Sequence, residues 1–196
     1  MLIVNAILVA LIVVQRLLEL RISKRHQLEL TTSGVAAVAD PVFPWMVLAH
    51  ALLIVGALLE PWLLQRTFLP AVGWTALGFL VVAQVVRFWT LHTLGRHWNV
   101  RIMASAGQGV VTSGPYRFVR HPNYAVVIVE ALCLPLFHGA YVTMATVQLL
   151  HTPVLIARIR SEERYLLSLD DYRAQMGDKP RLLPRFWRRP AWRDAR

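Results

Sequence analysis

Residues 113–124 read SGPYRFVRHPNY, which puts two arginines, a histidine, two tyrosines, two prolines and an asparagine within twelve positions. Pro122 suits the first turn of a helix, where its missing N–H would be unsatisfied anyway. The free N–H groups of such a helix start, beside Arg117, Arg120 and His121, suit an anionic group. Gly107, Gly109 and Gly114 in the preceding loop let a ligand approach the backbone closely. About forty residues later stands IARIRSEERYLL, in which Arg158 and Glu162 are four apart and share one helical face, while Glu163 points elsewhere. Glu162 offers a carboxylate for an ammonium and Arg158 a guanidinium for an anion. Each residue also has a plainer role. Arg117 and Arg120 could snorkel to phosphates and Tyr116 and Tyr124 could join an interfacial belt. Arg158–Glu162 could be a solvated pair worth under about 1 kcal/mol.

Other residues have the chemistry but weaker company. Glu130, in VIVEALCLP, is an acid inside an apolar run, which is costly and marks a functional candidate. It is either paired structurally with Arg87 or placed on the substrate side. His121 has the residue type of a general base. His50, His92, His97, His138 and His151 show no pairing and read as structural or interfacial. Arg16 and Glu19 close the first apolar run, where an interfacial role suits them. Cys133, the single cysteine, lies in apolar surroundings and reads as packing. No Cys/His spacing suggests a metal.

The elements that must carry these residues are membrane spans. The chain has 196 residues, of which 56% are hydrophobic, above the 45–50% usual for a soluble domain; its mean hydropathy is +0.47. About 20 apolar residues cross roughly 30 Å of hydrocarbon. Residues 2–20, 44–64 and 69–91 qualify, and 123–160 is nearly continuous. Pro135 and His138–Gly139 are turn signals that split this last run into a tight hairpin, 123–137 and 140–159, with a short fourth span. The fold class is therefore an all-α integral membrane protein of about five transmembrane helices, one domain over 1–196. Three N-terminal spans occupy 1–91 and a cofactor-binding catalytic part 92–196. The N-terminal run lacks a basic leader and reads as a retained span, not a cleaved signal.

Formal net charge is +10, which in a soluble protein would raise nucleic-acid binding. Here the basic residues fall between and after the apolar runs, as topology signals do, and anionic lipid is the favoured partner over nucleic acid. Arg21, Lys24 and Arg25 mark one side, and so do Arg96, Arg101, Arg117 and Arg120. Eleven more stand from residue 158 onward. These place the N-terminus outside and the C-terminus and both polar motifs in the cytosol, in a bacterial cytoplasmic membrane. The tail PRFWRRPAWRDAR mixes arginine with Phe186, Trp187 and Trp192, as an anchor at anionic headgroups does.

Taken together, VVTSGPYRFVRHPNY, RIRSEERYLL, DDY and RLLP resemble the isoprenylcysteine carboxyl methyltransferase family over roughly residues 85–185. The signature is an Arg-His-Pro-x-Tyr stretch followed 30–40 residues on by a Glu-Glu pair. QRLLELRISKR, PWMVLAHALLIVGALLE and GRHWNVRI resemble a bacterial subgroup that works beside type III polyketide synthases and O-methylates alkylpyrones or alkylresorcinols. The resemblance implies S-adenosyl-L-methionine as cofactor. It places Gln108, Gly109, Val110, Val111, Tyr116, His121, Pro122, Asn123 and Tyr124 around that cofactor, Glu162 on its amino group, and Arg158 on the substrate side. Arg101 stands where relatives have a polar cofactor contact, often an amide. The stretch between the glutamate pair and DDY is shorter than in the family and lacks its common glycine.

Methyl transfer from a sulfonium asks the protein to align an oxygen nucleophile and exclude water. A carboxylate acceptor is already ionised, whereas a phenol or hydroxypyrone is helped to lose its proton by a nearby guanidinium. Arg158 suits either as an electrostatic anchor, with a lipid-like acceptor entering from the bilayer. A nicotinamide-dependent sterol-type reductase shares the Arg-His-Pro-Asn-Tyr element but is usually larger. A lipid-binding scaffold would explain the tail and topology but not the paired motifs.

Overall fold

In hydrocarbon every backbone N–H and C=O must be satisfied within the chain, so long apolar runs fold as helices. The computed structural model describes residues 1–35, 37–103 and 109–184. These form α1 (Leu2–Thr32), α2 (Phe43–Leu63), α3 (Pro70–Leu94), α4 (Pro122–Leu136), α5 (Tyr141–Leu166) and α6 (Asp170–Met176), with 3-10 turns at Gly95–His97 and Gly114–Arg117. Among the described residues, extended pairing is confined to one bridge, Ala37 with Met103. Four helices, α1, α2, α3 and α5, are long and apolar enough to cross a membrane, and α4 is a shorter apolar helix. At 1.5 Å per residue α4 is about 22 Å long, the short fourth element expected.

Two helices outrun their apolar segments. α1 continues through RISKRHQLELTT to Thr32 because those residues are good helix formers, with no glycine or proline before Gly34, which turns the chain at φ +82°. α5 likewise extends to Leu166 and so carries both glutamates of the second motif on helix. Hydropathy marks where lipid ends, not where the helix ends. α6, with Asp170 and Asp171 in its first turn, was too short for periodicity to announce.

α3 lies along α4, α2 along α5, α4 against α5, and α1 against α2. Val9, Ile12, Leu53, Ala57, Ala76, Leu80, Ala131, Leu134 and Val147 form the shared core, with Cys133 packed among them. The outward face is also apolar, as a lipid-facing surface must be: Ile3, Leu11, Val82 and Leu149 are exposed. Gly56 sets the spacing of α2 and α5, since a Cβ there would lie 2.4 Å from Oγ1 of Thr143. The α4–α5 hairpin turns at residues 137–140, where Gly139 has φ +75°. The start of α5 is capped by buried Glu60 at the end of α2. Its carboxylate accepts from the Thr143 N–H at 2.6 Å, the Thr143 hydroxyl at 2.8 Å, the Val142 N–H at 3.1 Å and Arg66 at 3.1 Å.

Candidate active site

The C-terminal ends of α3 and α5, the N-terminal ends of α2 and α4 and the middle of α1 converge on a cavity of about 740 Å³. That lies within the roughly 300–1,000 Å³ of small-molecule sites. Its apolar side includes Val13, Leu17, Leu20, Met46, Val47 and Ile54 of α1 and α2. Its polar side includes Tyr116, Arg120, His121, Asn123, Tyr124, Arg158, Glu162 and Tyr172. Gly109, Val110 and Val111 close it from the loop before the Gly114 turn. Gly114 has φ +55°, and a Cβ there would meet Oγ1 of Thr93 at 2.4 Å, so this turn requires glycine to sit against α3.

Tyr124 joins the two motifs. Its hydroxyl donates to Oε2 of Glu162 at 2.5 Å and accepts from Nε of Arg158 at 3.1 Å. Arg158 and Glu162 share one face of α5 but are bridged by this phenol and do not pair directly. Arg158 is 3% exposed, which overturns a solvated surface pair. Its Nη2 donates to the Val100 carbonyl at 2.7 Å, and its Nη1 contacts Asp40, in the segment before α2. Nδ1 of His121 lies 3.8 Å from Oε1 of Glu162.

Glu163 faces the other way, as its place on the helix requires. Its Oε1 meets Nε2 of His121 and Nη2 of Arg120, each at 3.2 Å, and its Oε2 accepts from Arg181 at 2.8 Å. Arg120 is therefore held inside the fold and is not a snorkelling residue. Backbone bonds tie the same region down: the N–H groups of Arg120 and His121 donate to the carbonyls of Pro180 and Arg181, each at 2.9 Å, and Lys179 donates to the Tyr116 carbonyl at 2.7 Å. Glu163 thus orients the imidazole from behind while Glu162 faces the cavity. Burial, and then the Glu162 carboxylate, push the phenols of Tyr116 and Tyr172 well above their ordinary range, so both remain O–H donors.

A second charged cluster lies deeper, where α1, α3 and α4 meet. Arg87 donates through Nε to Oε1 of Glu19 at 2.6 Å and through Nη2 to the other oxygen, and its Nη1 reaches Oδ1 of Asn123 at 3.0 Å. Arg16 pairs with Glu19 at 2.8 Å and with Glu130. Gln84 donates to Glu130 at 2.6 Å, and Arg87 lies 3.9 Å from Glu130. Arg87 does meet Glu130, but its closer partner is Glu19. Arg16 and Glu19 thus make their pairs inside the bundle, where Glu19 is buried, rather than standing as an isolated pair at the end of the first apolar run.

The structure brings Gly109, Val110, Val111, Tyr116, His121, Asn123, Tyr124, Arg158 and Glu162 to one cavity. Pro122 sits beside it as the buried first residue of α4. Glu130 does not line it and belongs to the deeper cluster, against Arg16 and Gln84. Gln108 and Gly107 lie outside the described residues, as does the tail from 185. Arg101 lines the cavity with its guanidinium 4.7 Å from the centre of the Phe43 ring. Asp40 and Tyr172 were missed from sequence. The one hint for Asp40 was its place in an Asp-Pro pair just ahead of a span.

Long apolar helices around a cavity with one apolar and one polar side, at one end of the bundle, make this an all-α integral membrane protein. Residues 76–168 match the model of the isoprenylcysteine carboxyl methyltransferase (ICMT) family, and the chain belongs to that family of membrane methyltransferases. It is 32% identical over 161 residues to the uncharacterized protein YpbQ of Bacillus subtilis, covering 82% of this chain and 95% of that one. A Haemophilus influenzae protein is 28% identical over 155 residues, 79% of this chain and 90% of its own. The protein-S-isoprenylcysteine O-methyltransferase of Schizosaccharomyces pombe is 29% identical over 114 residues, 56% of this chain and 48% of its own.

Proposed function

We propose that this protein is an S-adenosyl-L-methionine-dependent methyltransferase acting on an oxygen nucleophile, a carboxylate or a phenol or hydroxypyrone, of a lipid-like substrate. The observation that carries the reading is the meeting of Tyr124, Arg158 and Glu162 through one hydroxyl at the cavity wall. Tyr124 meets there two residues that lie 34 and 38 positions further along the chain, in a protein whose family methylates.

The donor set fits the cofactor. The Glu162 side chain is 24% exposed, and its carboxylate suits an ammonium. The half-buried phenols of Tyr116 and Tyr172 and the exposed Arg101 line the same cavity, offering flat apolar faces, O–H donors and a cation for a carboxylate. When bound, the cofactor supplies an activated methyl group on a sulfonium. The chain's own residues do the rest. Glu162, held by Tyr124, fixes the amino end. His121, held by Glu163, supports the same wall. Arg158 positions the acceptor oxygen, and the apolar slot of α1 and α2 takes its hydrocarbon tail and excludes water. Held in this way, the sulfonium would supply its methyl group to the acceptor oxygen positioned by Arg158 and would be left as a neutral thioether. A hydroxyl acceptor would release its proton to bulk water on the open side of the cavity, where Glu162 is partly exposed and Arg101 exposed.

The distribution of lysine and arginine supports a cytosolic cofactor mouth, with the acceptor arriving from the bilayer. The test is transfer of radiolabelled methyl from S-adenosylmethionine into solvent-extractable lipid by membranes containing the protein. Label above background that disappears in Glu162→Ala is expected. Equal label with and without the protein would reject the assignment.

A further inference from the structure

The outer face of α5 turns from apolar to cationic at one level. Leu149, Pro153 and Ile156 recur at helical spacing on one stripe and are exposed. The same stripe runs on into Arg160 and Arg164, also exposed. Arg160 comes two positions after the cavity-lining Arg158, about 200° round the helix, and so faces away from the candidate active site. Arg160, Arg164, Leu167, Ser168 and Arg181 line an open groove of about 500 Å³, with buried Glu163 on its inner side. None of these residues lines the larger cavity.

The charges of the groove do not balance. Glu163 is held from inside the fold by Arg120 and His121 and from outside by Arg181. Among the described residues, Arg160 and Arg164 have no carboxylate partner. Arg181 remains 56% exposed although paired, and a guanidinium carries five N–H donors, so it can serve Glu163 and a second anion together. Three arginines therefore present surplus positive charge where the lipid-facing stripe ends. From Leu149 to Arg160 that stripe covers about 16 Å of helix. A free phosphate would meet the cations and gain nothing from the stripe. An anionic phospholipid uses both, with its phosphate on the guanidinium groups and its chains against the apolar face.

We propose that Arg160, Arg164 and Arg181 form a binding site for the phosphate of an anionic phospholipid whose acyl chains lie along the outer face of α5. The lipid bears on the candidate active site through Arg181. The carbonyls of Pro180 and Arg181 accept from the N–H groups of Arg120 and His121, each at 2.9 Å, and Lys179 donates to the Tyr116 carbonyl at 2.7 Å. A phosphate that holds Arg181 therefore also fastens the segment that backs His121. The inference is independent of the reaction assigned to the cavity.

The test follows tryptic cleavage after Arg181 in the detergent-solubilised full-length protein. The protein is titrated with a short-chain phosphatidylglycerol, with phosphatidylcholine of the same chain length, and with inorganic phosphate. Phosphatidylglycerol is expected to protect Arg181 at a concentration at least about tenfold lower than phosphatidylcholine, and inorganic phosphate to protect little. The double variant Arg160→Gln/Arg164→Gln is expected to melt like the wild type without lipid and to lose the preference for phosphatidylglycerol. Arg21→Gln/Arg25→Gln, an exposed pair on α1, is expected to keep it. Equal protection by the two lipids overturns the proposal. So does a preference that survives in the α5 double variant or disappears in the α1 one. Protection by inorganic phosphate matching that by phosphatidylglycerol overturns it too, because the groove would then be a general anion site. If the α5 double variant does not fold, the three-ligand comparison on the wild type still decides.

Discussion

Tyr124→Phe removes a single oxygen and isolates the contact that joins the two motifs. The ring is 8% exposed and packs with Leu155 and Ile159, so its apolar body should stay in place. Two bonds to charged groups are lost, one to Glu162 and one from Arg158. Such bonds contribute about 1.5–3 kcal/mol each when both ends are buried. Glu162 is partly open to water, which replaces some of its loss, and Arg158 keeps Val100 and Asp40. The net effect on holding the cofactor's amino end should then be about 1.5 kcal/mol, or roughly tenfold in Kd for S-adenosylhomocysteine. Calorimetry in detergent reads this directly, with a thermal melt to show that the fold survives. A variant that melts normally and binds S-adenosylhomocysteine as tightly as the wild type would refute the reasoning that this hydroxyl orients Glu162.

Three further outcomes test the frame around the site. Glu60→Ala strips the cap from α5 and should cost about 1–2 kcal/mol, read as a melting temperature several degrees lower in detergent. Glu19→Gln leaves Arg87 and Arg16 short of countercharge inside the bundle and should cost about 3–5 kcal/mol, seen as poor recovery of folded protein; a normal melt would mean the cluster is not the structural tie described. Glu163→Gln weakens the hold on Arg120, His121 and Arg181 and should speed proteolysis within residues 177–184, with the helical signal unchanged.

The fold was legible wherever the bilayer imposes it. Apolar length marked α2, α3 and the α4–α5 hairpin to within a few residues, because Pro135 and His138–Gly139 break the run where the chain turns. Length did not foresee α1 running to Thr32 or α5 to Leu166, since polar helix formers continue a helix that lipid no longer requires. At the site, Arg-His-Pro-Asn-Tyr and the Arg158/Glu162 spacing were readable because each is local. The partners that settle their electrostatics were not. Asp40 meets Arg158 across 118 positions of chain, and Arg87 meets Glu19 across 68. Such pairs depend on how helices cross, which periodicity does not record. The reading of Glu130 with Arg87 came close and missed that α1 inserts Arg16 and Glu19 between them.

The most direct measurement is a calorimetric titration of the solubilised protein with S-adenosylhomocysteine, and separately with a nicotinamide cofactor. One-to-one binding of the first alone, weakened at least about a hundredfold by Glu162→Ala through loss of the carboxylate that meets the ammonium, is the expected result. No binding, or binding that Glu162→Ala leaves intact, would contradict the claim that Tyr124, Arg158 and Glu162 build one cofactor site.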